Sequence, residues 1–366
     1  MQICEHALGR DVRCDFASDN YAGAHPAVLE AVVACNAGHE PAYGGDRYTA
    51  RAEAAFRAEL GDRARIYFAL SGTGANVVAL ASALRPHQAV ICAAGAHIDV
   101  DECGAYERFG GGKIVTVATR DGKLTADDVE RASAGIGDQH RAQPAAISIS
   151  QSTEAGTVYG LDEMQALAAM CRRYGLLFHV DGARIANAAV ALGASLRSLL
   201  VDTGVDVCSF GGTKNGLLFG EAIVFPRGHS AERDVPFVRK QAMQLGSKMR
   251  FVAAQFEALL ANGLWQRNAA NANAMAQRLA ARVSGVEHVG IVHPVQANAM
   301  FCVLPVRAIE PLQRERRFYV WDRERSVVRW MTAWDTTESD VDDFSEAIVR
   351  IVVRPEREAP HQRREP

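Results

Sequence analysis

No apolar run in this chain approaches the roughly 20 residues that a membrane-spanning helix needs. Met1 to Arg13 is mixed and polar, without the apolar core of a secretory signal. A soluble, cytoplasmic protein is expected. Neither sign of charge dominates: 40 Lys and Arg stand against 43 Asp and Glu, a formal net charge of −3. That removes any electrostatic case for nucleic acid or an acidic membrane as partner. Paired cysteines are missing too. Cys4, Cys14, Cys35, Cys92, Cys103, Cys171, Cys208 and Cys302 are scattered, with no C-x-x-C. Several sit in apolar stretches, so buried core thiols in a reducing compartment are expected, and neither a disulfide framework nor structural zinc. Two phosphate fingerprints are absent as well. No G-K-[ST] occurs, and Gly110-Gly111-Gly112-Lys113 runs into Ile114. In Gly72-Thr73-Gly74, Val77 stands where a dinucleotide motif has its third glycine. No internal repeat is apparent.

What is present is enough for a sizeable core. The chain has 366 residues, 48% of them hydrophobic, which predicts two domains. Ile66 to Leu70, Ala89 to Ala93, Ala145 to Ile149, Leu176 to Val180, Val205 to Phe210 and Gly220 to Phe225 read as strands. Helical spacing follows several of them: Val77 to Leu84, the polar stretch His97 to Glu107, and Leu161 to Tyr174. Strands alternating with helices predict an α/β fold, its central sheet mostly parallel and flanked by helices. Composition shifts near residue 250. Phe251 to Leu260 and Trp265 to Val283 are Ala-rich and helical, and short strands follow around Met300 to Leu304, Arg317 to Trp321 and Val327 to Trp334. The last helix starts at Thr337, with Asp340 completing a capping box. The expected division is a large domain over 1–255, a smaller α+β domain over 256–353, and a disordered tail over 354–366.

The candidate chemistry lies at strand ends, where open sheets bind ligands. Lys214 sits in Ser209-Phe210-Gly211-Gly212-Thr213-Lys214-Asn215-Gly216, just after an apolar strand. A lysine in a Gly-rich loop is ordinarily solvated, but this one has company. Upstream, Leu176-Leu177-Phe178-His179-Val180-Asp181-Gly182-Ala183-Arg184 ends another strand in an acid. A lysine that forms a Schiff base and an acid at the ring nitrogen are what pyridoxal phosphate requires. The turn Ser71 to Asn76 opens a helix, and its backbone donors and dipole suit the phosphate. Asp181 alone could simply cap the next helix, and Arg184 alone could be a surface ion pair. His179 shares a strand face with Asp181 and is given a structural role.

His97 follows a strand end in Ala96-His97-Ile98-Asp99-Val100-Asp101-Glu102. It could stack on a planar ring and exchange protons near neutral pH. With Asp99, Asp101 and Glu102 it matches no defensible metal spacing, so no metal is expected. Arg329 lies in the apolar strand Val327-Val328-Arg329-Trp330-Met331. A substrate carboxylate would pair it, or else an internal partner such as Asp335.

These residues together resemble the low-specificity threonine aldolases, in the β-eliminating lyase group of fold type I pyridoxal-phosphate enzymes. The resemblance runs from Phe16 to the final helix. Its markers are Phe16-Ala17-Ser18-Asp19-Asn20-Tyr21, Tyr43-Gly44-Gly45-Asp46, Ser71 to Asn76, His97 with Asp101-Glu102-Cys103-Gly104-Ala105, His179 to Arg184, Ser209 to Asn215, and Arg239-Lys240-Gln241 with Lys248-Met249-Arg250. It implies Lys214 as Schiff-base lysine, Asp181 at the ring nitrogen, His97 on the ring face, and Gly72 and Thr73 at the phosphate. Ser18, Arg184 and Arg329 would bind the amino-acid carboxylate. Tyr43 and Arg250 would approach from a neighbouring subunit, in dimers paired into tetramers. One position departs. Many members carry a histidine after the strand ending at Ile149, where this chain has Glu154 in Ser152-Thr153-Glu154-Ala155-Gly156-Thr157. The implied reaction is reversible cleavage of a β-hydroxy-α-amino acid to glycine and an aldehyde. His97 is the candidate base, Glu154 its rival. A phenylserine-like substrate, or β-elimination, racemisation or transamination on the same scaffold, stays open.

Overall fold

The structure, a computed structural model, describes residues 14–353. The expected tail over 354–366 and the segment holding Cys4 lie outside these residues. Seven strands form the main sheet: β1 (Arg65–Ala69), β2 (Gln88–Ala93), β3 (Lys113–Val117), β4 (Gln143–Ser150), β5 (Leu177–Gly182), β6 (Val207–Gly211) and β7 (Glu221–Phe225). Their order is β1-β7-β6-β5-β4-β2-β3. Pairing is parallel from β3 through to β6, and only β7 runs against its neighbours. The strands are apolar on both faces because both are covered. Ile91, Ile147, Phe178, Cys208 and Val224 enter one core. Their sequence neighbours Val90, Ala146, Leu177, Val207 and Ile223 enter the other. This is the expected mostly parallel α/β sheet.

A second, antiparallel sheet is built from β8 (Gly290–Ile291), β9 (Ala299–Val303), β10 (Tyr319–Asp322) and β11 (Val327–Met331), in the order β10-β11-β9-β8. The helices Val306–Glu315 and Glu338–Val352 cover it. Thr337 caps the latter in the expected box with Asp340. The chain's start belongs to this smaller body. Phe16 stacks on Phe344 at 4.5 Å, its N–H donates to Arg317 O, and its carbonyl accepts from Met331 N–H, both at 2.9 Å. A border at 255/256 cuts the helix Arg250–Leu260, whose Phe256 and Leu259 lie in the large core. The change of core falls within the next long helix, Leu264–Val283. Its Trp265 and Ala269 face the large core, while Leu279 and Val283 face the small one. Alanine-rich composition signalled helix there, not a boundary.

Other local expectations also change. The stretch His97 to Glu107 is two short helices, His97–Val100 and Ala105–Gly110. Positive φ at Cys103 (53°) and Gly104 (67°) breaks the helix between them, and Asp101 and Glu102 gain access to the cleft described below. Strand β3 and the helices Pro26–Ala34 and Arg47–Leu60 were not read from sequence. Of the cysteines, Cys35, Cys92, Cys171, Cys208 and Cys302 are buried, but Cys14 is half-buried and Cys103 exposed. Among the described residues, no helix is long and apolar enough to cross a membrane.

Candidate active site

A cleft of about 420 Å³ opens where the parallel strands end and the small sheet faces them. Lys214 reaches it from the turn after β6. Gly212 lets that turn close: a Cβ there would meet Leu217 Cδ1 at 2.4 Å and Gly220 O at 2.7 Å. Asn215 is pinned on both sides, donating to Trp265 O at 3.1 Å and accepting from Asn268 Nδ2 at 2.8 Å. Lys214 is therefore held on a fixed backbone. Burial, and then the nearby Arg184 guanidinium, push its pKa below the ordinary lysine value.

Asp181 ends β5 in the same cleft. One carboxylate oxygen accepts from Ala183 N–H at 3.0 Å, a local cap, and the other from Asn76 Nδ2 at 2.8 Å. Asn76 also donates to Glu102 Oε1 at 2.8 Å, and the same oxygen meets His97 Nδ1 at 2.9 Å. One amide thus ties Asp181 to the Glu102–His97 pair. The hydrogen bond to Glu102, opposed by burial, raises the His97 pKa. Ligand atoms of His97, Glu102 and Asp181 lie within 4.8 Å of one another. Asp99, by contrast, is exposed and accepts from Gly95 N–H at 3.3 Å. His179 is fully buried between Ser148 Oγ at 2.8 Å and Ser209 Oγ at 3.2 Å. Burial lowers its pKa to about 4, so it is neutral at physiological pH.

Glu154 follows β4. Its Oε1 accepts from Ser150 Oγ at 2.6 Å and from His97 N–H at 2.8 Å. Burial raises its pKa, against those hydrogen bonds. Gly72 and Thr73 line the cleft at the start of the helix Gly72–Ala81, which Ser71 caps by accepting from Gly74 N–H at 3.2 Å. Nothing lies within 4 Å of where a Cβ on Gly72 would be. Gln244 braces this turn, accepting from Leu70 N–H at 3.0 Å.

The small sheet and the N-terminal segment supply the other wall. Arg184 is no surface residue. Its Nε and Nη2 donate to Asp19 at 2.7 and 2.9 Å, and Asn298 Nδ2 also donates to Asp19 at 3.1 Å. Arg329 donates to Ala17 O at 3.1 Å, and its guanidinium lies 5.2 Å from the Tyr319 ring centre and 5.1 Å from that of Trp321. Its buried Nε has no partner, and Asp335 is not among its contacts. Ser18 lines the same wall and accepts from Asn20 N–H at 3.2 Å. Tyr43 and Arg250 do not join their own chain's cleft. Tyr43 is exposed, with Lys240 Nζ 5.0 Å from its ring centre. Arg250 donates to Gly38 O at 3.3 Å.

Asn76, Glu102 and Asp19 lay inside motifs quoted from sequence without a role of their own. Asn298 and Gln244 gave no signal, since a lone amide far along the chain has no spacing to betray it. Glu221, at the start of β7, was hidden because only a reversed strand brings its amino end to this edge.

The chain is similar to known proteins in sequence and fold. The β-eliminating lyase family model matches residues 15–306. The low-specificity L-threonine aldolase of a Pseudomonas species is 42% identical over 340 residues, spanning 92% of this chain and 97% of that protein. The one from Pseudomonas aeruginosa is 43% identical over the same shares. The threonine aldolase structure from Leishmania major superposes with a TM-score of 0.85 at 31% identity, covering 92% of this chain and 99% of that one. By its matched residues, its full-length relatives and its fold, the chain belongs to the β-eliminating lyase family, with the low-specificity L-threonine aldolases.

Proposed function

We propose that this protein uses pyridoxal phosphate to cleave L-threonine, L-allo-threonine or related β-hydroxy-α-amino acids to glycine and an aldehyde. The observation that carries this is the buried Lys214 amine, its pKa lowered by that burial, in one cleft with the Asp181 carboxylate and the Arg329 side chain. The residues present suit the cofactor. A lysine with a lowered pKa offers the neutral amine that attacks an aldehyde. The open backbone at Gly72 and Thr73 leaves room for a phosphate at a helix start. Asp181 would face the ring nitrogen and His97 the ring.

When bound, pyridoxal phosphate supplies an aldehyde for amines and a ring that takes up the electron pair of the broken Cα–Cβ bond. The chain's own residues do the rest. Arg329, with Arg184 and Ser18 beside it, grips the substrate carboxylate. His97 keeps its Nδ1 proton on Glu102, so Nε2 of the neutral ring has the free lone pair and takes the β-hydroxyl proton. Glu154 is the weaker base. Its Oε1 already accepts two hydrogen bonds, and burial favours its neutral form. It holds the His97 turn instead. Tyr43, exposed, and Arg250, half-buried, both outside their own cleft, serve a neighbouring subunit's site in a dimer or tetramer.

The test is incubation with L-threonine, L-allo-threonine and phenylserine, scoring glycine and aldehyde against keto acid and ammonia. Glycine and aldehyde in equal amounts, abolished in Lys214→Ala, support the reading. Keto acid with ammonia, or full activity in Lys214→Ala, overturns it.

A further inference from the structure

The turn between β1 and the helix Gly72–Ala81 is held by a side chain from far along the sequence. Leu70 lines the cleft directly before Ser71-Gly72-Thr73. β1 pairs with β7 from Arg65 to Ala69, so Leu70 lies past the last pair of that ladder. Its N–H donates instead to Gln244 Oε1 at 3.0 Å. Gln244 is not among the residues that line the cleft. It acts on the turn from outside.

Gly74 meets the same amide. A Cβ there would lie 2.1 Å from Gln244 Cδ, 2.2 Å from its Oε1 and 2.5 Å from its Nε2. Gly74 is not among the glycines with positive φ, so its backbone does not call for glycine. What the missing side chain provides is room for Gln244. The amide is anchored in turn. Gln244 N–H donates to Arg239 O at 2.9 Å, and Arg239 Nη1 donates to Phe68 O at 3.1 Å. The segment from Arg239 to Gln244 therefore grips the end of β1 at two points, Phe68 O and Leu70 N–H.

We propose that Gln244 is a positioning residue for the cofactor's phosphate, fixing where Gly72 and Thr73 present their backbone N–H groups, and that Gly74 is glycine to admit it. This rests on the proposed binding of pyridoxal phosphate at the turn. The first N–H groups of a helix have no partner within it and suit an anion. Ser71 Oγ takes that of Gly74 at 3.2 Å, which leaves those of Gly72 and Thr73 for the phosphate. Their direction depends on the residue before them, and Gln244 holds that residue.

The test separates phosphate from ring. Protein stripped of cofactor is titrated with pyridoxal phosphate and with pyridoxal, which lacks the phosphate, and protein fluorescence gives the two Kd values. In Gln244→Ala the Kd for pyridoxal phosphate should rise about 10-fold, the loss of one hydrogen bond, while that for pyridoxal stays unchanged. The unchanged pyridoxal value also shows that the variant is folded. Gly74→Ala should give the same pattern, because its methyl group displaces the flexible Gln244 side chain. The double variant should lose no more than either single one, since the new Cβ then fills vacated space. Unchanged pyridoxal phosphate binding in Gln244→Ala, an equal loss for pyridoxal, or additive losses in the double variant overturns the proposal. Wild type that binds pyridoxal as tightly as its phosphate overturns the phosphate reading of the turn, and the proposal with it.

Discussion

Asp19 and Arg184, 165 residues apart, meet in a two-point ion pair with N–O distances of 2.7 and 2.9 Å. Asp19 is 1% exposed. Asn298 donates to the same carboxylate, so three segments of the chain converge on one acid at the wall of the cleft. The pair orients the guanidinium, whose Nη2 also donates to Met331 Sδ at 3.2 Å.

Replacing Asp19 with Ala leaves Arg184 without its counter-charge. The expected loss is about 3 kcal/mol of stability, read as a lower urea midpoint, with a raised KM for the amino acid. The pH sign follows from the folded-state pKa. Burial works to raise it, but Arg184 and then Lys214 outweigh burial and hold it below the ordinary value of 3.8. Such a group adds stability above that value and loses it as pH falls through the folded pKa. The unfolding midpoints of wild type and Asp19→Ala should therefore converge as pH drops below 3.8.

His97 as base sets an acid limb. Only the neutral ring accepts the β-hydroxyl proton, so kcat should rise with pH through the His97 pKa, which the Glu102 hydrogen bond holds above 6.5. In Glu102→Gln that limb should move to lower pH. A limb that stays in place while kcat falls would leave Glu102 a purely structural role.

The Arg329 guanidinium packs against the Tyr319 and Trp321 rings, and its Nε is buried without a hydrogen-bond partner. Arg329→Ala should raise KM for every amino-acid substrate about 10- to 100-fold, the loss of a charge-assisted hydrogen bond. Trp321→Ala removes one of these rings and should raise KM about 2- to 5-fold. Trp321 and Phe219 also line the cleft. Trp321→Ala should then lower kcat/KM for phenylserine more than for threonine, as steady-state comparison of the two substrates would read.

If Arg250 serves the neighbouring subunit, two damaged chains can rebuild one site. Lys214→Ala and Arg250→Ala proteins, each weakly active or inactive, should regain glycine formation when unfolded together and refolded as a mixture. A mixture no more active than its components would place Arg250 in its own chain's function.

The sheet was legible because its strands are continuous apolar runs between turn residues, and that pattern is local. Lys214 and Asp181 were legible for the same reason: each stands a residue or two from a strand end, in a turn with its own chemistry. The helix expected from His97 to Glu107 failed because periodicity does not reveal a left-handed pair such as Cys103-Gly104. Arg329 was legible as a buried charge needing a partner, but its aromatic contacts were not, since Tyr319 and Trp321 come from another strand.

What the sequence determined by itself was the kind of site: strand ends, a lysine turn, an acid, a helix start. These depend on residues within a few positions of one another, where bonding geometry fixes who meets whom. Tertiary structure alone decided the partners. Asp19 on Arg184, Asn76 between Asp181 and Glu102, and Glu221 in one cleft with Lys214 join residues from separate elements. Such pairings follow from strand order and from the one reversed strand, and these are set by how two apolar cores close over the sheet.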